Sequence, residues 1–173
     1  GAGKWYRTSG AEASQDIELS VAEGATLEWL PQETIVFDGA QARMHTRVSL
    51  AADSRFIGWD ILCLGRTASG ERFDTGHVDL HYRIERAGSP LWIERGSFQG
   101  ADPMLASPAG WAGAPVCGTL LASFPELSTA STELLERCRQ VAPSDGAGHA
   151  VTALPGLLVA RYLGASSEAA RLW

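Results

Sequence analysis

The sequence has little of what most enzyme and secretory chemistry requires. It holds three cysteines in 173 residues, Cys63, Cys117 and Cys138. The count is odd and no two stand at CxxC spacing, which fits neither a disulfide framework nor a zinc knuckle. Reduced thiols in a cytoplasmic protein are the expectation. No run approaches the ~20 apolar residues of a membrane helix. No basic stretch followed by an apolar segment marks a signal peptide. Positive charge is scarce and scattered: 14 Lys and Arg against 20 Asp and Glu give a net charge of −6. That balance repels phosphate backbones and anionic head groups, which excludes nucleic acid and membrane surfaces as expected partners. GxSxG, Walker, GxGxxG and HExxH motifs are all missing. A paired-carboxylate glycosidase needs only two acids, yet nothing in the sequence selects a pair, so no enzyme is expected.

What is present is strand pattern. Ile17, Leu19 and Val21 alternate with polar residues, as do Met44, Thr46, Val48 and Leu50, and Val78, Leu80, Tyr82 and Ile84. Turn signals separate them at Glu23-Gly24, Asp38-Gly39, Ala52-Asp53-Ser54, Ser69-Gly70 and Gly88-Ser89-Pro90. Phe56 to Leu64 is almost continuously apolar, which predicts a strand covered on both faces. This spacing predicts an all-β body: a sandwich, a barrel or a stacked coil. From residue 100 to 115 the chain reads as irregular. Val116–Phe124 and Leu157–Leu163 read as strands. Thr132–Val141 has helical spacing, with Ser131 as N-cap and Pro143 as stop, and Ser166 or Ser167 caps a final helix.

Three groups of side chains merit a chemical reading. His77, Asp79 and His81 share one strand face, but His77 and His81 stand ~13 Å apart along a strand, too far to share one ion with ~2 Å bonds. A solvated strand face is the simpler reading. Acidic residues beside apolar runs are the second group. Asp60 lies inside Trp59-Asp60-Ile61-Leu62-Cys63-Leu64, where a carboxylate needs a hydrogen bond, a counter-charge such as Arg66, or a metal. Glu94-Arg95 follows Leu91-Trp92-Ile93, so one of the two points inward. Glu28 and Glu33 bracket Trp29-Leu30-Pro31-Gln32. These acids either line a polar channel for a divalent cation or form structural pairs with arginine. The third group is the tryptophans, with Trp92 and Trp111 as core residues or as docking anchors.

Several stretches together resemble one family. They are Gly1-Ala2-Gly3-Lys4-Trp5-Tyr6-Arg7, Leu27-Glu28-Trp29-Leu30-Pro31-Gln32-Glu33-Thr34-Ile35 and Phe37-Asp38-Gly39-Ala40. Further along come Gly58-Trp59-Asp60-Ile61-Leu62-Cys63-Leu64-Gly65-Arg66, Ser69-Gly70-Glu71-Arg72-Phe73 and Pro90-Leu91-Trp92-Ile93-Glu94-Arg95. In this order and spacing they resemble the UreD (UreH) family of urease accessory proteins.

The resemblance implies a mainly β fold, a β-helix-like stack of short strands with one or two α-helices near the C-terminus. It implies a single domain over residues 1–173 that lacks strands before Gly1 and a helix after Trp173. The function implied is urease maturation, without turnover, in the cytoplasm. UreF, UreG through UreF, and apo-urease are the implied partners, and nickel is a transient passenger rather than a tightly bound cofactor. Asp60 and Glu94 match acidic positions of the motifs and become the first candidates for a nickel pathway, with Glu28 and Glu33 second. Cys63 is expected to be packing. The alternative outside this family is an all-β module that binds carbohydrate or peptide on an exposed aromatic platform.

Overall fold

The computed structural model describes residues 4–6, 10–129 and 132–173. Ser131, expected as a helix N-cap, lies outside them. Among the described residues eleven strands build two sheets.

The first half is a flattened coil. Strands β2 (Ala13–Val21), β5 (Gln41–Leu50) and β7 (His77–Arg86) lie parallel, in that order, in one sheet. Between them the chain crosses to the other sheet and back. There β1 (Lys4–Tyr6) pairs in parallel with β4 (Thr34–Val36), and β3 (Thr26–Trp29) and β4 both pair in parallel with β6 (Arg55–Leu64). Successive turns of the coil stack by backbone hydrogen bonds. Ala51 donates to the Val21 carbonyl at 3.0 Å and Ala87 to that of Leu50 at 2.9 Å. Arg86 seals this end: its guanidinium donates to the carbonyls of Ala51, Ala52 and Ser54 and to the Ser123 hydroxyl. This is the expected β-helix-like stack.

The coil then stops. After a two-residue turn at Ala87-Gly88, β8 (Ser89–Gln99) pairs antiparallel with β7 in the same sheet. The chain runs through the short helix α1 (Pro103–Ala106) into β9 (Val116–Ser123), antiparallel to β6. Helix α2 (Thr132–Gln140) follows, then the hairpin of β10 (Gly148–Leu154) and β11 (Leu157–Gly164), with β11 beside β9. Helix α3 (Ser167–Leu172) is capped by Ser166, whose hydroxyl accepts from the Ala169 amide at 3.1 Å. Sequence reading placed α2, α3, β9 and β11 correctly and took 100–115 as irregular, where α1 adds one turn.

Packing follows the strand period. Phe56, Leu62 and Leu64 of β6 face the other sheet, while Ile61 and Cys63 face outward under α3. That is why the run reads as apolar throughout. The space between the sheets holds two separate apolar clusters. One gathers Val36, Ala42, Met44, Leu62, Val78 and Phe98. The other gathers Val21, Val48, Phe56, Ile84, Leu121 and Val159.

Candidate functional site

The two apolar clusters are divided by a belt of polar residues at one register. In the four-stranded sheet Thr46 of β5 pairs with Tyr82 of β7, and Tyr82 with Glu94 of β8. In the facing sheet Asp60 of β6 pairs with Thr119 of β9, and Thr119 with Arg161 of β11. Each belt residue sits where alternation points it between the sheets; Thr46, Tyr82, Thr119 and Arg161 have apolar side chains two residues away on both sides, whereas Asp60 and Glu94 have one on one side and a glycine, Gly58 or Gly96, on the other. A cavity of about 220 Å³ occupies this level, lined by Asp60, Glu94, Tyr82, Cys117, Thr119 and Arg161 among others. A smaller one of about 20 Å³ shares Thr46, Asp60 and Tyr82 and reaches Gln15, Trp29 and Thr34. Asp60 therefore borders both spaces.

A break in the sheet lies beside Asp60. Strand β3 pairs with β6 as far as Gly58, and β4 resumes at Leu62, so residues 30–33 leave the ladder opposite the Asp60 level. Pro31 explains the interruption, since it has no amide to give to a ladder. Its carbonyl accepts instead from the Trp59 indole at 2.7 Å.

The electrostatics tie the belt together. Arg161 Nη2 donates to Glu94 Oε1 at 2.7 Å, across from one sheet to the other, and the guanidinium lies 5.6 Å from the Trp92 ring centre. Burial pushes the Tyr82 hydroxyl well above its ordinary range, with the negative fields of Asp60 and Glu94 adding to it. Burial likewise raises the Cys117 thiol to about 11, against the opposing pull of Arg161 and with Glu94 and Asp60 adding. Asp60 and Glu94 thus act on the same two side chains. The Tyr82 oxygen is shielded from solvent and has no hydrogen-bond partner among the described residues. Such an orphan costs about 1–3 kcal/mol unless a guest meets it.

The other candidates stand elsewhere. Glu28 is exposed on β3. Glu33 accepts from Arg171 of α3 at 2.5 Å, on the outward face of the sheet. Arg66 pairs with Glu71 at 2.6 Å rather than with Asp60. Cys63 is buried with Ile61, Val116 and Tyr162, and burial lifts its thiol to about 12, as packing requires. His77, Asp79 and His81 lie on the outward face of β7. His45 stands 3.4 Å from Asp79, and its ring meets that of His81 edge-on at 5.6 Å. Among the described residues no three His, Cys, Asp or Glu side chains converge as a metal shell would. Trp111 packs on Phe98 at 5.7 Å and closes the end of one apolar cluster.

Sequence reading missed Thr46, Tyr82, Thr119 and Arg161 as members of the belt, and Cys117 as a residue lining its cavity. A signal existed. Thr46 interrupts the stripe of Met44, Val48 and Leu50, and Arg161 interrupts Leu157, Val159 and Leu163, each at an inward position.

Comparison with known proteins decides the family. The model of the UreD urease accessory protein family matches residues 1–173. This chain belongs to the UreD family. It is 69% identical over 173 residues to the urease accessory protein UreD of Dechloromonas aromatica, covering all of this chain and 60% of that protein. The UreD of Pseudomonas fluorescens Pf-5 is 52% identical over 174 aligned residues, again covering 60% of its own length. That of Azoarcus sp. BH72 is 48% identical, with 59% covered. The chain therefore spans about 60% of the length of the curated UreD proteins it matches. No helix among its described residues is long and apolar enough to cross a membrane.

Proposed function

We propose that this UreD chain serves urease maturation as a non-catalytic cytoplasmic accessory protein that passes nickel through the polar belt between its sheets. Family membership supports the maturation role. One observation supports the passage: Asp60 and Glu94, on opposite sheets, border the same cavity. UreF, UreG recruited through UreF, and apo-urease are the partners in this reading, and Ni²⁺ is cargo.

The chemistry suits a passenger. Oxygen ligands hold a first-row divalent ion weakly and exchange quickly, whereas a thiolate would retain it. Burial raises the Cys117 thiol to about 11, which adds to the cost of forming the thiolate that would retain the ion. The hydroxyls of Thr46, Thr119 and Tyr82 supply further neutral oxygens. The binding-module alternative finds no support in Trp92 or Trp111, whose rings are turned onto Arg161 and Phe98 rather than out to solvent.

The test is a rescue assay. The full-length protein is co-expressed with apo-urease and the other accessory proteins, as wild type, Asp60→Asn and Glu94→Gln. Both variants are expected to melt like wild type and bind UreF, while nickel per urease falls about tenfold. Wild-type nickel content in both variants would make these carboxylates structural.

A further inference from the structure

The passage as described already contains a cation. Arg161 reaches from β11 across the cavity to Glu94 on the other sheet, at 2.7 Å. In its own sheet it stands two strands from Asp60, with Thr119 between them. Neighbouring strands are ~4.8 Å apart, so the two backbones lie within the reach of one arginine side chain. The guanidinium is thus held over one carboxylate and within range of the other. Its third neighbour is the face of Trp92, an apolar seat that a guanidinium accepts.

We propose that Arg161 is the resident counter-charge of this passage, and that a divalent cation binds Glu94 only as the guanidinium swings away from it. The inference rests on the conduit reading above and adds a specificity-determining residue to it. With the guanidinium on it, Glu94 attracts a dication less strongly than an unopposed carboxylate would. Affinity at Glu94 is a competition, since arginine fills the same carboxylate lone pairs that a metal needs. A dication arriving at Asp60 repels the guanidinium toward Glu94. One arriving at Glu94 sends it toward Asp60 or Trp92. The ion is therefore never held by both acids at full strength, which keeps it moving.

The experiment measures Ni²⁺ affinity by equilibrium dialysis on the full-length protein, as wild type, R161Q, R161K and the double variant R161Q/E94Q. Thermal melting and circular dichroism confirm the fold of each. R161Q is expected to bind about tenfold more tightly at one site. R161K retains the charge and stays near wild type. The double variant loses the gain, which locates it at Glu94. In the rescue assay R161Q delivers nickel more slowly despite binding it better. A folded R161Q with wild-type affinity overturns the proposal, as does a gain that survives removal of Glu94. These results are separable from the conduit reading. If Asp60→Asn and Glu94→Gln block delivery while R161Q binds as wild type does, the counter-charge role falls and the conduit stands. If neither carboxylate variant affects delivery, the conduit falls, and the dialysis series still decides whether Arg161 competes for Glu94.

Discussion

Asp38 shows how much one exposed carboxylate can organise. It follows β4 at the tight turn where Gly39 has φ +76°. Its Oδ1 accepts from the amides of Asp74 and Thr75 at 2.9 and 2.7 Å and from the Thr75 hydroxyl at 3.1 Å. These bonds pin the long connection before β7 to the coil. Those to Thr75 hold the carboxyl below its ordinary range, with those from Asp74 and Gly39 adding and partial burial opposing. A depressed carboxyl stabilises the fold above its unfolded value of 3.8, and that contribution is lost as pH falls through the folded value. Asp38→Ala is expected to cost about 1 kcal/mol at pH 7, the scale of a lost cap. The gap between variant and wild-type melting temperatures should narrow at pH 3. An unchanged gap would show that the turn is held by something else. Legibility at this scale depended on contrast. Asp60 stood out because a carboxylate inside an apolar run demands an explanation, and Glu94 because one of two adjacent charges had to point inward. Arg161 lay in an equally apolar run, but an arginine snorkels so readily that its position there raised no question.

Among the elements, β6 carries the most. It is covered on both faces, flanked by β3 and β4 on one edge and β9 on the other, and it presents Asp60 at mid-length. Its exit is equally constrained. Gly65 has φ +78°, and a Cβ there would lie 2.4 Å from the Glu71 carbonyl oxygen and 2.9 Å from the Arg72 backbone. Gly65→Ala is therefore expected to destabilise by about 2 kcal/mol or more, through both the left-handed conformation and the close approach. Denaturant titration reads this directly, and a loss under ~0.5 kcal/mol would mean the Glu71 loop yields freely. Strands with one buried face were legible from alternation. Strand β10 was not, because Val151 is its only buried residue and a lone apolar position makes no period. Helix α1 escaped for a similar reason: its four residues from Pro103 to Ala106 offer a start signal, from the Asp102 side chain on the Met104 amide, but no repeat.

The whole molecule joins a parallel coil to an antiparallel closing set; the specific family motifs run along the coil and reach only β8 of the closing set, where the rest of the resemblance is loose, through Gly118-Thr119-Leu120 and Leu157–Leu163. Composition and turn spacing left sandwich, barrel and coil open, because all three use the same alternation. What separates them is which strands pair, and parallel pairing between β2, β5 and β7 leaves no mark within any one strand. The belt was hidden for the same reason: its six residues come from six strands and meet only when the registers of two sheets coincide. Its presence has a mechanical consequence. Strands β5, β6, β7 and β8 each have one end anchored in each apolar cluster and a polar waist between them, so the sandwich is built like a book with two clasps. Releasing one clasp frees one end of many strands at once without disturbing the other. Amide hydrogen exchange should then divide single strands rather than separate strands from one another, with Met44 and Val48 of β5 falling into different protection classes across the Thr46 amide. Uniform protection along β5 would mean that both clasps give way together.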